Sequence, residues 1–244
     1  MKEHTKRSYR ERVKASGLCS FQVAVKETDL WVSAGMELQQ ETRDLILDAR
    51  YQLESYISTH PHFLSAMIPV EDDPTAPHIV RVMIDAVKSV GVGPMASVAG
   101  AIAEFVGRGL LEITNDVIVE NGGDIFLKVR RDTTVSIFAG ESPLSHKIGL
   151  RIAEGRMPLG VCTSSGTVGH SYSTGVADAG CVLASSAAFA DGAATALCNR
   201  IRGRKDLARI AEWAESIPGV IGCLVILGEH MAVWGDVELV AVDH

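Results

Sequence analysis

The stretch Val119-Glu120-Asn121-Gly122-Gly123-Asp124-Ile125 places an Asn-Gly pair between two apolar runs. Asn-Gly is a strong signal for a two-residue hairpin turn, because both central residues of that turn need a positive φ. The flanking runs predict strands over residues 116–120 and 125–130, and the next apolar run predicts a strand over residues 134–138. The sequence therefore predicts consecutive antiparallel strands here, and it argues against a parallel, doubly wound sheet.

Blocks of helices and strands are predicted on both sides of this hairpin. Apolar residues at helical spacing predict helices over residues 36–60, 79–89, 95–111, 187–202 and 205–216. Apolar runs predict strands over residues 21–26, 30–34, 149–153, 181–184, 220–227, 231–234 and 237–242, with the last three forming a meander. Because the elements lack a regular βαβ alternation, the sequence predicts an α+β fold with mostly antiparallel sheets and packed helices. We expect residues 1–244 to form a single domain.

The bulk composition argues against several classes of protein. A formal net charge of −7 disfavours a general nucleic-acid binder. Six lysines and arginines fall within the first fourteen residues, as a solvated terminus or as an arm that touches a phosphate or another subunit. The five cysteines include no CxxC pair, which argues against a disulfide framework and against zinc bound by close cysteine pairs. No signal-peptide core or membrane-spanning run is found, so the sequence predicts a cytoplasmic protein without a membrane partner.

The segment Phe189-Ala190-Asp191-Gly192-Ala193-Ala194-Thr195 carries a carboxylate and a hydroxyl four residues apart. On a helix this spacing places Asp191 and Thr195 on one face, one turn apart. Carboxylate and hydroxyl oxygens suit a hard cation such as Mg²⁺, and the small residues between them would let a ligand approach. The alternative is an acidic residue that favours the helix dipole, with the threonine on the surface.

The glycines of the hairpin turn are a second candidate site. Gly122 and Gly123, followed by Asp124, would leave backbone N–H groups free to face a phosphate or a ring. The alternative is that these residues form the hairpin turn and nothing more.

The stretch Gly160-Val161-Cys162-Thr163-Ser164-Ser165-Gly166-Thr167-Val168-Gly169-His170 is a third candidate, interpreted as a loop. Its hydroxyls and backbone donors could bind phosphate oxygens, and His170 could act as an acid or base or bind a phosphate. The alternative is a polar connecting loop. Cys162 is either a convenient thiol beside this loop or a small buried hydrophobe, which is the interpretation we favour.

In their order and spacing, the three segments resemble the ApbE-type FAD:protein FMN transferase superfamily. That family has a GGD strand turn, a TSG loop, a His followed by a TG turn, and a D-x-x-x-T helix. The matching residues are Gly122-Gly123-Asp124, Thr163-Ser164-Ser165-Gly166, His170, Thr174-Gly175, and Asp191 with Thr195. Upstream, Gly93-Pro94-Met95-Ala96-Ser97 stands where the family has a small-residue loop for metal and flavin. The resemblance covers about residues 90–200, and the opening of the chain is similar to an uncharacterised prokaryotic branch.

This resemblance implies an ApbE-like fold that binds Mg²⁺ and FAD or another nucleotide. It implies metal ligation by Asp191, Thr195 and the backbone of Ala96, and proton transfer by His170. Tyr172 is the aromatic residue that we expect to stack on a flavin ring. The implied contacts to the phosphorylated ligand are Gly122, Gly123, Asp124, Thr163, Ser164, Ser165, Gly166 and Tyr172.

Two departures from the family separate binding from catalysis. Ser97 stands where the transferases carry a lysine that meets the flavin nucleotide. The run from His170 to Gly175 is two residues shorter than the family's H-x-x-D-P-x-T-G and lacks its Asp-Pro, for which Asp178 is a conceivable substitute.

Three functions remain open at this point. The first is a Mg²⁺-dependent transferase that cleaves a diphosphate. The second is a non-flavinylating relative that binds a nucleotide or flavin as a carrier, sensor or assembly factor, with sulfur or homocysteine metabolism as one setting. The third is a structural component of an oligomer, in which the alanine-rich helices are packing surfaces. The small phosphorylated ligand belongs to the first two, and a homo-oligomer is compatible with all three.

Overall fold

A computed structural model describes residues 17–167 and 174–242. The strands are β1 (Cys19–Val25), β2 (Thr28–Ala34), β3 (Val117–Asn121), β4 (Asp124–Lys128), β5 (Thr133–Ser136), β6 (Ile148–Ile152), β7 (Leu159–Ser164), β8 (Ala179–Ala184), β9 (Gly222–Leu227), β10 (His230–Gly235) and β11 (Glu238–Ala241). The α-helices are α1 (Gln39–Thr59), α2 (His62–Ser65), α3 (His78–Lys88), α4 (Val98–Leu111), α5 (Ala187–Arg200) and α6 (Ile210–Glu215). Short 3₁₀ helices cover Pro94–Ser97, Glu154–Arg156 and Arg204–Arg209. No helix of the described ranges is long and apolar enough to cross a membrane.

Eight strands form one antiparallel sheet in the order β1-β2-β3-β4-β7-β8-β9-β10. A smaller antiparallel sheet has the order β11-β6-β5. The prediction of an α+β fold with mostly antiparallel sheets is confirmed, as is the β1–β2 hairpin. The long crossover between β2 and β3 contains α1 to α4, and the crossover between β8 and β9 contains α5 and α6.

The large sheet is covered on both faces. Successive side chains of a strand point to opposite faces, so Phe126 of β4 packs under the helices while Ile125 and Leu127 pack toward the small sheet. The helix-facing layer is the larger apolar core, and the second core fills the space between the sheets. A polar side chain on the helix-facing side is consequently enclosed, unless it lies where the strands end.

The structure corrects three details of the prediction. The strand expected over residues 134–138 is β5, and it pairs with β6 of the small sheet instead of following β4. Strand β11 also pairs with β6, so the last three strands do not form a single meander. Residues 159–164, interpreted largely as a polar loop, form β7 in the middle of the large sheet.

Close helix packing explains why a stretch as small and polar as β7 becomes a central strand. A Cβ on Gly160 would overlap the backbone of Ala187, and a Cβ on Gly100 would overlap the Ala187 carbonyl oxygen. Helix α5 therefore lies wedged between α4 and β7, at a distance that only glycine permits on both sides. This contact places the first turn of α5 against Gly160 and Cys162 of β7. The first turn of α4 meets the end of β3, where the Asn121 side chain hydrogen-bonds the Ala99 carbonyl oxygen.

Candidate functional site

The turn between β3 and β4 is the two-residue hairpin turn that the sequence predicts. Gly122 and Gly123 have φ values of 67° and 114°, and Asn121 and Asp124 form the last pair of the ladder. A Cβ on Gly122 would meet no atom of the described residues within 4 Å, so the turn faces open space in that part of the chain. The Asn121 side-chain amide donates a hydrogen bond of 3.1 Å to the Ala99 carbonyl oxygen. The turn is thereby tied to the first turn of α4.

Asp124 lies directly behind the turn, on the helix-facing side of β4 and opposite Cys162 of β7. Its carboxylate accepts a hydrogen bond from the Thr163 N–H, but its Oδ1 atom is buried and has no hydrogen-bond partner among the described residues. Burial, with a smaller contribution from the negative charge of Glu120, raises the pKa of Asp124 to about 7. A carboxylate held in this way accepts a proton or a cation more readily than an exposed one.

Asp191 approaches the same place from the first half of α5. Its Oδ2 accepts a hydrogen bond of 2.9 Å from the Gly100 N–H, and the Ala99 N–H also hydrogen-bonds the carboxylate. Burial raises the pKa of Asp191 well above its usual range, and the charge of Asp124 raises it further. Across residues 17–167 and 174–242, neither carboxylate forms an ion pair with a lysine, arginine or histidine.

Further oxygen-bearing residues lie on the elements that carry or adjoin these two carboxylates. Thr195 follows Asp191 by one helical turn and is half-buried. Ser164 lies on the same face of β7 as Cys162, and within residues 17–167 and 174–242 its buried Oγ has no hydrogen-bond partner. Ala96 belongs to the 3₁₀ helix that leads into α4, and this helix contacts α5. In the described part of the chain, no three His, Cys, Asp or Glu side chains are grouped to hold a metal.

The residues present fit a hard divalent cation. Asp124 lies close enough to Asp191 for its charge to raise the pKa of Asp191, and one carboxylate oxygen and one hydroxyl oxygen have no partner among the described residues. The donors are all oxygen atoms, as Mg²⁺ prefers. Asp191 has a second role that the sequence analysis considered only in general terms, since it caps the N-terminus of α4 and not that of its own helix.

The hydroxyl-rich stretch divides into two parts. Thr163 lies beside the glycine turn, because a Cβ on Gly123 would stand 3.8 Å from the Thr163 carbonyl oxygen. Ser165 and Gly166 instead turn back into the fold. The Gly166 N–H donates to the Ala177 carbonyl oxygen at 2.9 Å, and the Ser165 Oγ accepts from the Thr167 N–H at 3.0 Å. These groups are engaged internally. Of this stretch, the Thr163 backbone lies beside the glycine turn, and the Ser164 side chain lies on the helix-facing side of β7 together with Cys162.

His170 and Tyr172 lie outside the described residues, as does the basic arm at the start of the chain. The described residues on either side of 168–173 are anchored. Thr167 contacts Asp178, whose other oxygen accepts a hydrogen bond of 2.7 Å from the Gly228 N–H. The Thr174 N–H donates to the Asn199 side chain at 2.8 Å. Asp178 therefore has a structural task at the β9–β10 turn.

Ser97 and Cys162 are both enclosed. Ser97 is fully buried, and its hydroxyl donates a hydrogen bond of 2.7 Å to the Pro94 carbonyl oxygen. The Cys162 thiol lies 3.3 Å from the Ala187 carbonyl oxygen, and burial, followed by the charge of Asp124, raises its pKa well above the usual value. The thiol therefore stays protonated at neutral pH and behaves as a small buried hydrophobe.

A groove of about 380 Å³ lies away from this site, between the end of α5 and α6. Its floor is apolar and includes Trp213, and its polar rim mixes Arg200 and Arg209 with Asp206 and Glu212. It contains none of the residues proposed from the sequence, and its mixed charges select no class of ligand.

Solved structures define the class of the fold. The chain is similar to the flavinyl transferase ApbE from Pseudomonas stutzeri, with a TM-score of 0.53 and 13% identity over 91% of this chain and 94% of that chain. A mutant of the flavin transferase ApbE from Vibrio cholerae gives a TM-score of 0.55 and 14% identity, covering 93% and 98% of the two chains. The predicted ApbE-like fold is thereby confirmed.

Sequence comparison then places the chain within a family. Residues 10–217 match the family described as AbpE bacteria, and the chain belongs to that family. It is also 40% identical over 228 residues to a UPF0280 protein from Methanocaldococcus jannaschii, covering 91% of this chain and 93% of the relative. A UPF0280 protein from Methanopyrus kandleri is 41% identical over 223 residues, covering 88% and 90%. These relatives agree with the uncharacterised branch that the sequence resembles.

Proposed function

We propose that this protein binds a phosphorylated ligand, a flavin or another nucleotide, together with a divalent cation at the tip of the β3–β4 hairpin. The observation that carries the proposal is the meeting of Asp124 and Asp191, two buried carboxylates that no basic side chain of the described residues neutralises. Bringing two ionised carboxylates into a protein interior is unfavourable unless a cation or a proton compensates them.

Asp191, Thr195 and the Ala96 carbonyl oxygen would hold the cation, and the unpartnered Oδ1 of Asp124 adds a donor that the sequence analysis had assigned to the ligand. Mg²⁺ usually keeps several waters and takes further oxygens from substrate phosphates. When bound, the cation would neutralise phosphate charge in the cleft. Ligand and metal are therefore expected to bind cooperatively.

The ligand would lie against the open face of the glycine turn. Gly122 leaves space for a phosphate or a ring, and Thr163 and Ser164 end β7 beside it. Backbone N–H groups in a turn with positive φ values are suited to anion binding. The role of His170 in proton transfer and that of Tyr172 in stacking remain predictions.

Ser97 favours a second candidate function, binding without flavin transfer. Its buried hydroxyl is bonded within the 3₁₀ helix, so the position that carries a lysine in the transferases points into the core. A carrier, sensor or assembly factor needs the cation and the ligand but no residue that promotes transfer. Incubating the protein with FAD and a flavin-acceptor peptide distinguishes the two functions, because only a transferase yields a covalently flavinylated peptide.

Calorimetric titration tests the proposed site directly. FAD, FMN and ADP are titrated into the wild type with Mg²⁺ or with EDTA, and then into Asp124→Asn, Asp191→Asn and Asp116→Asn. Asp116 is a buried aspartate at the other end of the same hairpin and serves as the matched control. We expect at least one of these ligands to bind the wild type more tightly with Mg²⁺ than with EDTA. Both site variants should lose this Mg²⁺-dependent gain in affinity, and the control should keep it. Binding that is indifferent to Mg²⁺ and to both site aspartates would reject it.

A further inference from the structure

Glu104, in the middle of α4, is a buried carboxylate that contacts the start of α5. Its Oε2 accepts hydrogen bonds from the Ala187 N–H at 2.7 Å and from the Ala188 N–H at 3.4 Å. It also accepts one of 2.8 Å from the Ser186 hydroxyl, whose oxygen in turn accepts from the Phe189 N–H at 3.3 Å. The first three N–H groups of α5, which no intrahelical carbonyl can reach, are therefore all satisfied, two of them by Glu104.

Asp191 makes the reciprocal contact. It accepts hydrogen bonds from the first turn of α4, through Ala99 and Gly100, while Glu104 of α4 accepts them from the first turn of α5. The helices cross where Gly100 meets Ala187. Each helix thus supplies a negative charge to the positive end of the other, which is the favourable orientation for both helix dipoles.

We propose that Glu104 is a positioning residue for the cation site, an inference that rests on the proposed function. Asp191 follows Ala187 by four residues, so one helical turn joins the backbone that Glu104 holds to the carboxylate that would bind the cation. The other Glu104 oxygen pairs with Arg108 at 2.6 Å, which holds the side chain in place. Glu104 has no direct contact with the cation in this arrangement; it sets where Asp191 stands.

A merely structural role for Glu104 would change stability and leave the site unaltered. A positioning role predicts two further effects. Removing the Glu104 carboxylate loosens the Gly100–Asp191 hydrogen bond. It also weakens cation binding more than an equally destabilising substitution elsewhere in the chain does. Groups that orient metal ligands typically cost about 10- to 100-fold in metal affinity when they are removed.

The experiment compares Glu104→Ala, Glu104→Gln and the control Asp116→Asn in the full chain. Hydrogen exchange of the Gly100 amide is measured by NMR. Mg²⁺ affinity is measured by calorimetry in the presence of whichever of FAD, FMN and ADP binds the wild type. We expect Glu104→Ala to accelerate hydrogen exchange of the Gly100 amide and to weaken Mg²⁺ binding, each by about tenfold beyond the control variant. Glu104→Gln should keep most of the wild-type protection of Gly100 and most of the Mg²⁺ affinity, because its amide oxygen still accepts a hydrogen bond from the Ala187 N–H. It also provides a folded comparison if the alanine variant does not fold.

The outcomes separate this inference from the proposed function. Gly100 exchange in the Glu104 variants that matches the control overturns the positioning role, even if Mg²⁺-dependent binding is present. Faster exchange with unchanged Mg²⁺ affinity also overturns it, since Asp191 would then move without consequence. If the wild type shows no Mg²⁺-dependent binding, the proposed function fails and the inference fails with it, whereas failure in the Glu104 variants alone leaves the proposed function standing.

Discussion

The two ends of the β3–β4 hairpin each hold a buried aspartate, but the surroundings shift the pKa of the two carboxyl groups in opposite directions. Asp116, at the base, is 5% exposed and accepts two hydrogen bonds of 2.7 Å from Arg130, one from its N–H and one from Nη2. Asp124, at the tip, is 8% exposed and has an unpartnered oxygen. Hydrogen bonds from Arg130 lower the pKa of Asp116, whereas burial raises that of Asp124.

This difference distinguishes a carboxylate that stabilises the fold from one that costs stability. At neutral pH the base of the hairpin gains from the charge of Asp116. At the tip, a charge on Asp124 is kept out of water with no basic side chain of the described residues to pair with it. Natural proteins accept such a cost mainly where a site needs it. The contrast therefore supports the tip as the site, and each prediction below tests one side of it.

The largest effect is expected from Asp191→Asn. The asparagine oxygen can still accept the Gly100 N–H, so the cap of α4 is kept while the charge is lost. We expect Mg²⁺-dependent ligand affinity to fall by about 100-fold, the upper end of effects around metal sites, as measured by calorimetry. Asp191→Ala, which removes the cap as well, should lose a similar affinity and in addition about 1 kcal/mol of stability. Wild-type affinity in Asp191→Asn would show that the residue is only a cap.

Asp116→Asn is expected to lower the free energy of unfolding by about 2 kcal/mol, because it breaks the buried pairing with Arg130. Urea denaturation at pH 7 measures this loss. The folded-state pKa is lowered, so the contribution is present above the ordinary aspartate value and is lost as the pH falls through the folded value. The difference from wild type should therefore shrink in acid. A change in ligand binding by this variant would contradict the separation of the two ends.

Asp124→Asn is expected to stabilise the protein without ligand, by about 1 kcal/mol at pH 8. The folded-state pKa is raised to about 7, so the stabilising contribution of Asp124 is present below about pH 4 and is lost as the pH rises through 7. The advantage of the variant should therefore grow from pH 4 to pH 8 in thermal or urea unfolding. Saturating Mg²⁺ and ligand should reverse it, because they stabilise only the wild type. A variant less stable than wild type at pH 8 would contradict this account.

The smallest effect is expected at Cys162. Burial, more than the charge of Asp124, raises the pKa of this thiol, so Asp124→Asn should leave it unreactive. Native protein treated with iodoacetamide should be alkylated at the exposed Cys19 and not at Cys162, as determined by peptide mass spectrometry. Alkylation of Cys162 in the wild type would reopen its role as a functional thiol.

The sequence predicted the parts of the site that depend on short-range geometry. The two-residue turn, with Gly122 and Gly123 at its centre, and the helical spacing of Asp191 and Thr195 need only the local backbone, and both are found. The meeting of Asp124 with Asp191 depends on how β4, β7 and α5 stack, which local patterns do not encode. The strand β7 was missed because Gly160 is a poor strand signal and the hydroxyls from Thr163 onward were interpreted as a ligand-binding loop. The packing of α5 nevertheless requires glycine at position 160.

Glu104 illustrates a signal that was visible but not used. It is the one charged residue in the helical run from Ala99 to Val106, where the surrounding positions are apolar or glycine. A carboxylate on a face that is otherwise buried needs a hydrogen-bond donor, and the N-terminus of another helix is a common one. Which helix would supply that N-terminus could be learned only from the three-dimensional structure.

The contact between Gly100 and Ala187 also limits how this family can diverge. A larger side chain at either position would push α4 and α5 apart and break the two hydrogen-bonded caps together. The hydrogen bonds of Glu104 and Asp191 depend on the same distance between the helices. Positions 100, 104, 187 and 191 are therefore expected to change together in evolution. We expect them to be retained or replaced jointly among descendants, and a chimera that takes α4 from a distant relative should need α5 from the same source.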